Sequence, residues 1–271
     1  TTLFANTIRR AETLSCESFL NSNPSAGQSS SAYLNACPSP DERGLMAASM
    51  TVRNNPNSFI RSDAHLAIVF VSDEDERSSL YHQTASYGLS GDDLPQNLIS
   101  TVESVFPAKP LTIHSIIVRP GTLNLTPSEA AQRIAQINAG GGLNATYAPS
   151  SLFNGGDSAC LNTQSNQTNG VLGSYGYLYA LATRMTNGVE GNICAADYGS
   201  QLSSIGDNIG ESVAHQTLYC ANPQAIDPQT PMVTFTPANG PNMYTISGNV
   251  ISFNPNLIPG TQAYLQYTCA E

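Results

Sequence analysis

Residues 65–72 read His65-Leu66-Ala67-Ile68-Val69-Phe70-Val71-Ser72, and Asp73-Glu74-Asp75-Glu76-Arg77 follows at once. An apolar run of this length, rich in β-branched residues, predicts a strand. Its near-continuity implies cover on both faces, as in a parallel sheet. Four consecutive carboxylates end it abruptly. A second apolar run, residues 111–118, ends at Arg119-Pro120-Gly121. Between the two, Leu94, Leu98, Val102 and Val105 recur at helical spacing, so residues 94–105 are expected to be a helix. Strand, helix and strand make a βαβ unit, whose crossover is expected to be right-handed.

Further helices are expected around this unit. Residues 42–52 carry Leu45 and Met46 toward a core. Residues 127–138 have clear boundary signals: Thr126 as N-cap, Pro127 in the first turn, Glu129 closing a capping box, and Gly140-Gly141-Gly142 as the stop. Residues 198–215 align Tyr198, Leu202, Ile205, Ile209 and Val213 on one stripe, and residues 175–185 predict a shorter helix.

Residues 144–173 are rich in Asn, Gly, Ser and Thr with little periodicity, which reads as a surface insertion at about 143–173 tied down by Cys160. Short alternating strands are expected at residues 243–246, 250–253 and 263–267, with Ser247-Gly248-Asn249 as a hairpin turn. The expected organisation is an α/β domain over residues 1–218 and a small β module over residues 219–271.

The chain has 271 residues and a formal net charge of −10, and only 11% of its residues are charged. That balance argues against nucleic-acid binding, which needs a basic stripe, and against docking on anionic lipid. No apolar stretch reaches the roughly 20 residues that span a bilayer, so no membrane span is expected. No leader-like segment stands at Thr1, which suggests a mature chain or a fragment. The six cysteines fall along the chain as Cys16 with Cys37, Cys160 with Cys194, and Cys220 with Cys269. None forms a C-x-x-C pair, which disfavours zinc ribbons and thioredoxin-like redox motifs. Sequential disulfides, each bracketing one loop or module, would place the protein outside the cytosol, at a cell surface or envelope; six reduced, buried thiols are the competing reading.

The segment from Phe59-Ile60-Arg61-Ser62-Asp63-Ala64 through His65 to Glu76 resembles the core strand of von Willebrand factor A-like (vWA-like) proteins of bacterial cell envelopes. Gly191-Asn192-Ile193-Cys194-Ala195-Ala196-Asp197-Tyr198 is similar to a helix-opening segment of those proteins, and the closing β strands are similar to the module that often ends them. The resemblance runs from about Asp41 to the C-terminus, with the insertion unmatched. It implies a doubly wound, mostly parallel α/β sheet with a divalent cation, Ca²⁺ or Mg²⁺, at the carboxyl edge of the strands. Asp73 matches the family's aspartate after the central strand. Glu42 falls near the position of a loop threonine and supplies an alternative oxygen ligand. The family's D-x-S-x-S loop occurs nowhere in the chain. Its strand would lie upstream of Thr1, or the sheet is completed by another segment.

The acidic run therefore has two readings. One is a cation site using Asp73, Asp75 and Glu42, since hard cations take oxygen ligands. The other is a solvated acidic turn with Arg77 as its local counter-charge. An EF-hand is excluded, because the sixth and twelfth positions from Asp73 are Ser78 and Thr84 rather than Gly and Glu.

No catalytic residue is assigned. Gly156-Asp157-Ser158 lacks the glycines that would follow a nucleophile, no G-x-S-x-G occurs, and the histidines are scattered. His65 and His114 read as packing residues within strands. The expected function is an extracellular binding or adhesion module for a protein or glycan ligand, with a structural subunit of a surface assembly as the alternative.

Overall fold

The computed structural model describes residues 11–25, 32, 36, 42–55, 58–62, 64–77, 89–107, 109–139, 149–167, 173–217, 232–236, 243–247, 250–253, 262–266 and 268. The chain begins with α1 (Ala11–Ser22), α2 (Gly44–Asn54), β1 (Leu66–Val71), α3 (Pro95–Val105) and β2 (Leu111–Ile117). It continues through β3 (Pro120–Leu123), α4 (Pro127–Ala139), β4 (Phe153–Gly156), α5 (Ser158–Gln167) and α6 (Tyr177–Met185). After β5 (Glu190–Asn192) and α7 (Tyr198–Ala214) come the tail strands: β6 (His215–Thr217), β7 (Met232–Thr236), β8 (Tyr244–Ser247), β9 (Val250–Phe253) and β10 (Gln262–Gln266).

The protein is a mixed α/β fold with a small parallel sheet, ordered β1-β2-β5. β1 and β2 pair in register from Leu66 opposite Leu111 to Val71 opposite Ile116, with α3 as the crossover. β5 adds on the far side of β2, Ile117 opposite Asn192. Lys109, the one lysine, fixes the entry to β1: its Nζ donates to the carbonyls of Arg61, Ser62 and Ala64.

One face of the sheet supplies Leu66, Ile68 and Phe70 from β1 and Leu111, Ile113 and Ile117 from β2 to a core shared with α2, α3, α4 and α6. Leu45, Leu98, Ile134, Leu178 and Leu181 fill it, each essentially without exposure. Burial of each such side chain stabilises the fold by about 1.5–3 kcal/mol. The expectation that β1 is covered on both faces is corrected: Val69 is 41% and Val71 62% exposed. On that second face β2 places Thr112, His114 and Ile116, all buried. As expected, His65 and His114 are hydrogen-bonded packing residues. Thr112 Oγ1 lies 2.9 Å from His65 Nε2 and 3.1 Å from His114 Nε2, while the Val189 N–H donates to His114 Nδ1 at 3.1 Å.

The capping box before α4 is formed, with Glu129 accepting from the Thr126 hydroxyl at 2.7 Å and from its N–H at 3.0 Å. Gly140-Gly141-Gly142 lies outside the described residues. The segment expected as an insertion carries regular structure: β4, which pairs antiparallel with β3, and α5. Gly155 and Gly156, the last residues of β4, adopt positive φ (74° and 148°), which glycine does without steric cost.

In the tail, β9 lies between β8 and β6, and β7 pairs with β10. The strands expected at 243–246, 250–253 and 263–267 are thus present within a residue at each end; Gly248 and Asn249 lie outside the described residues. β6 follows α7 directly, so the last helix feeds a strand of the tail sheet. No helix among the described residues is long and apolar enough to cross a membrane.

Candidate functional site

The carboxyl ends of β1, β2 and β5 lie along one edge of the sheet. Because α2 and α6 run back against the strands, their amino ends return to that edge. The first N–H groups of a helix have no partner within it and must be satisfied from outside. The acidic run meets that need.

Glu76 turns inward and is fully buried. Its carboxylate accepts from the N–H groups of Leu45 (2.8 Å) and Met46 (3.2 Å) at the start of α2, and from the Tyr179 hydroxyl (3.0 Å). The Gly44 N–H donates to the same hydroxyl at 3.1 Å, so the first turn of α2 is closed. A Cβ at Gly44 would lie 2.8 Å from Tyr179 Oη, which is why a glycine suits this position. Asp75 is equally buried, and its Oδ1 accepts from the Leu178 N–H of α6 at 2.8 Å. The two carboxylates and Tyr179 thus form a clasp between the end of β1 and two helices.

Burial pushes both carboxyls up to about 8, against the N–H bonds that hold them down. Desolvation raises the Tyr179 hydroxyl, and the neighbouring Glu76 charge raises it further. The reading of the whole run as a solvated turn is therefore corrected for Asp75 and Glu76. Arg77, expected to balance the run locally, takes positive φ (52°) and reaches Asp93 at 3.4 Å. Asp93, fully buried, also accepts from Arg43 (2.7 and 2.9 Å) and from the Ser90 N–H (2.7 Å) and hydroxyl (2.8 Å).

Asp73 and Glu74 stay half-buried at the mouth of the edge, where the Glu74 N–H donates to Ser72 Oγ at 3.2 Å. Glu42 is exposed, and its carbonyl accepts from the Arg77 N–H at 2.7 Å, so its backbone borders the acidic turn. Of the three carboxylates expected to hold a cation, Asp75 is committed to α6 in the interior, while Asp73 and Glu42 lie toward solvent. Among the described residues no group of three or more His, Cys, Asp or Glu side chains is placed to hold a metal ion. Ser78, His82 and Thr84 lie outside the described residues.

A second clamp stands at the β5 end. Asp157 Oδ1 accepts from the Cys160 N–H at 3.0 Å, capping α5, and Oδ2 accepts from the Asn192 side chain at 2.7 Å. Asn192 in turn accepts from the Cys194 N–H at 2.8 Å. The Cys160–Cys194 disulfide, expected from sequence order, closes this corner with a Cα separation of 5.5 Å. Cys16 is disulfide-bonded too, while Cys37, Cys220 and Cys269 lie outside the described residues. Ser158 is exposed in the first turn of α5, so the local sequence there is a capped helix start.

Glu76, Tyr179, Asp93, Asp157 and Asn192 are the edge residues that sequence reasoning missed. Asp157, an N-cap residue type just before a helix, carried a readable signal; the others depend on long-range packing. Compared with protein-family models, with curated proteins and with solved structures, the chain matches none.

Proposed function

We infer that the chain is a non-enzymatic extracellular binding or adhesion module in a doubly wound, vWA-like fold. It recognises a protein or glycan ligand with the loops at the carboxyl edge of the parallel sheet. The observation that carries this reading is the construction of that edge. The amino ends of α2 and α6 are clasped by Asp75, Glu76 and Tyr179, and the β5 corner is clamped by Asp157, Asn192 and a disulfide. Asp73 and Glu74 are left at the mouth. Open parallel sheets place ligands at this edge, and rigid elements present binding loops with little ordering cost. The disulfide favours an oxidising location outside the cytosol. In this reading, recognition runs through loop side chains.

The test is binding of the full chain to an array of immobilised glycans and to a panel of purified cell-surface proteins. Asp73→Arg should abolish the signal. Glu103→Arg, at an exposed position of α3 near the opposite edge, should retain it. Equal binding by both variants would refute recognition at this edge. The alternative, a structural subunit of a surface assembly, is favoured by one feature, the exposed flank of β1.

A further inference from the structure

The turn that leads into β5 is fastened to β2 through one imidazole. The Val189 N–H donates to His114 Nδ1 at 3.1 Å, and the Ser115 N–H donates to the Val189 carbonyl at 3.1 Å. Beside them, the Gly188 backbone lies so close to β2 that an added Cβ would sit 1.8 Å from the Ile113 carbonyl oxygen. A ring nitrogen accepts a hydrogen bond only while it carries no proton. With Nδ1 accepting, the ring proton of His114 is on Nε2, which donates to Thr112 Oγ1 at 3.1 Å. A second proton can therefore enter only at Nδ1. It takes the place of the Val189 bond and sets two N–H groups face to face.

The groups around this ring do not favour an imidazolium. His114 has no exposure. From β1 comes His65, whose Nε2 lies 2.9 Å from the same Thr112 hydroxyl, with the Lys109 charge acting on it in turn. Glu190, next to Val189, is paired with Arg184 of α6 at 3.0 Å. α7 packs against β2 and keeps its acidic residues, Asp207 and Glu211, exposed. Burial holds the His114 ring below its ordinary 6.5, and the neighbouring His65 lowers it further. We propose that His114 is an acid-released latch: proton uptake at Nδ1 expels the Val189 N–H and loosens residues 188–190 from β2, while the β1–β2 pair stays formed. The proton comes from solvent and adds to the Nδ1 lone pair, so only hydrogen bonds are exchanged. A ring held below its ordinary value stabilises the fold fully above pH 6.5, and that contribution is lost as pH falls through its folded value. The latch does not depend on ligand recognition at the carboxyl edge.

Hydrogen exchange of the full chain, followed by NMR from about pH 7.5 to about pH 4.5, tests it. Protection of the Val189 amide, relative to an unstructured amide at the same pH, should fall about tenfold across that range, the loss of one hydrogen bond. The His114 ring nitrogens should titrate with the same midpoint. The Ser72 amide, which donates to the Ile116 carbonyl across β1 and β2, should stay protected. His114→Asn keeps an acceptor near the Nδ1 position that takes up no proton, so its Val189 amide should be equally protected at both ends of the range. His65→Gln should still respond to acid. If His114→Asn does not fold, the shared midpoint in wild type decides. Level protection at Val189, a midpoint that differs from that of the His114 ring, or an acid response that survives in His114→Asn or disappears in His65→Gln would overturn the proposal.

Discussion

The Tyr179 hydroxyl donates to Glu76 Oε2 at 3.0 Å and accepts from the Gly44 N–H at 3.1 Å, so one side chain of α6 closes the start of α2 over the end of β1. Three elements far apart in sequence meet at a single buried oxygen. Their mutual position, and with it the shape of the carboxyl edge, depends on Glu76.

Removing that carboxylate should therefore destabilise the fold well beyond a surface change. Glu76→Ala strands the N–H groups of Leu45 and Met46 and leaves a cavity, at a cost of about 3 kcal/mol. Glu76→Gln keeps one acceptor oxygen and should cost about 1 kcal/mol. Urea unfolding of the three proteins checks the order. A Glu76→Ala protein as stable as wild type would remove the clasp from the account.

Stability should also depend on pH through these groups. Asp75 and Glu76 rise from ordinary values of 3.8 and 4.5 to about 8 in the folded chain. The native state thus binds protons that the unfolded chain releases, and their contribution is fully present below about pH 4. It is lost as pH rises through about 8. Comparing wild type with an Asp75→Asn, Glu76→Gln double variant isolates this component: the wild-type curve should fall relative to the variant between those limits. Parallel curves would show that neither group is perturbed.

The Cys160–Cys194 bridge should matter for the β5 corner. Replacing both cysteines with serine is expected to cost about 2–5 kcal/mol. Hydrogen exchange should accelerate first around α5 and residues 192–195. Peptide mapping without reduction also checks the other sequential pairs, and a Cys16 to Cys220 link would refute them.

Asp73 separates loop recognition from cation capture. Calorimetric titration of Ca²⁺ and Mg²⁺ into wild type should show no stoichiometric uptake, and Asp73→Ala should change stability by no more than about 0.5 kcal/mol. Uptake by wild type that vanishes in Asp73→Ala would restore the cation reading.

The parallel βαβ unit was legible because its signals are local: two apolar runs and a helix-period stripe between them. The Thr126–Glu129 box was legible for the same reason. Cover on both faces of β1 was over-read from its apolar run, since Val69 and Val71 are as apolar as Phe70 but lie on the open side. The clasp was not legible at all. Asp75 meets Leu178, and Glu76 meets Tyr179, each across 103 residues, and nothing in Asp73-Glu74-Asp75-Glu76 distinguishes the two that turn inward. Short strands such as β4 and β5 escaped because pairing, rather than composition, makes them.

The most direct test of the central claim is a carboxyl titration followed by carbon NMR. The chain carries 20 Asp and Glu residues. The account predicts that Asp75 and Glu76 titrate near pH 8, with both signals absent from the Asp75→Asn, Glu76→Gln protein. Titration of both groups in the ordinary acidic range would contradict it, because burial would then not outweigh the N–H bonds that the two carboxyls accept.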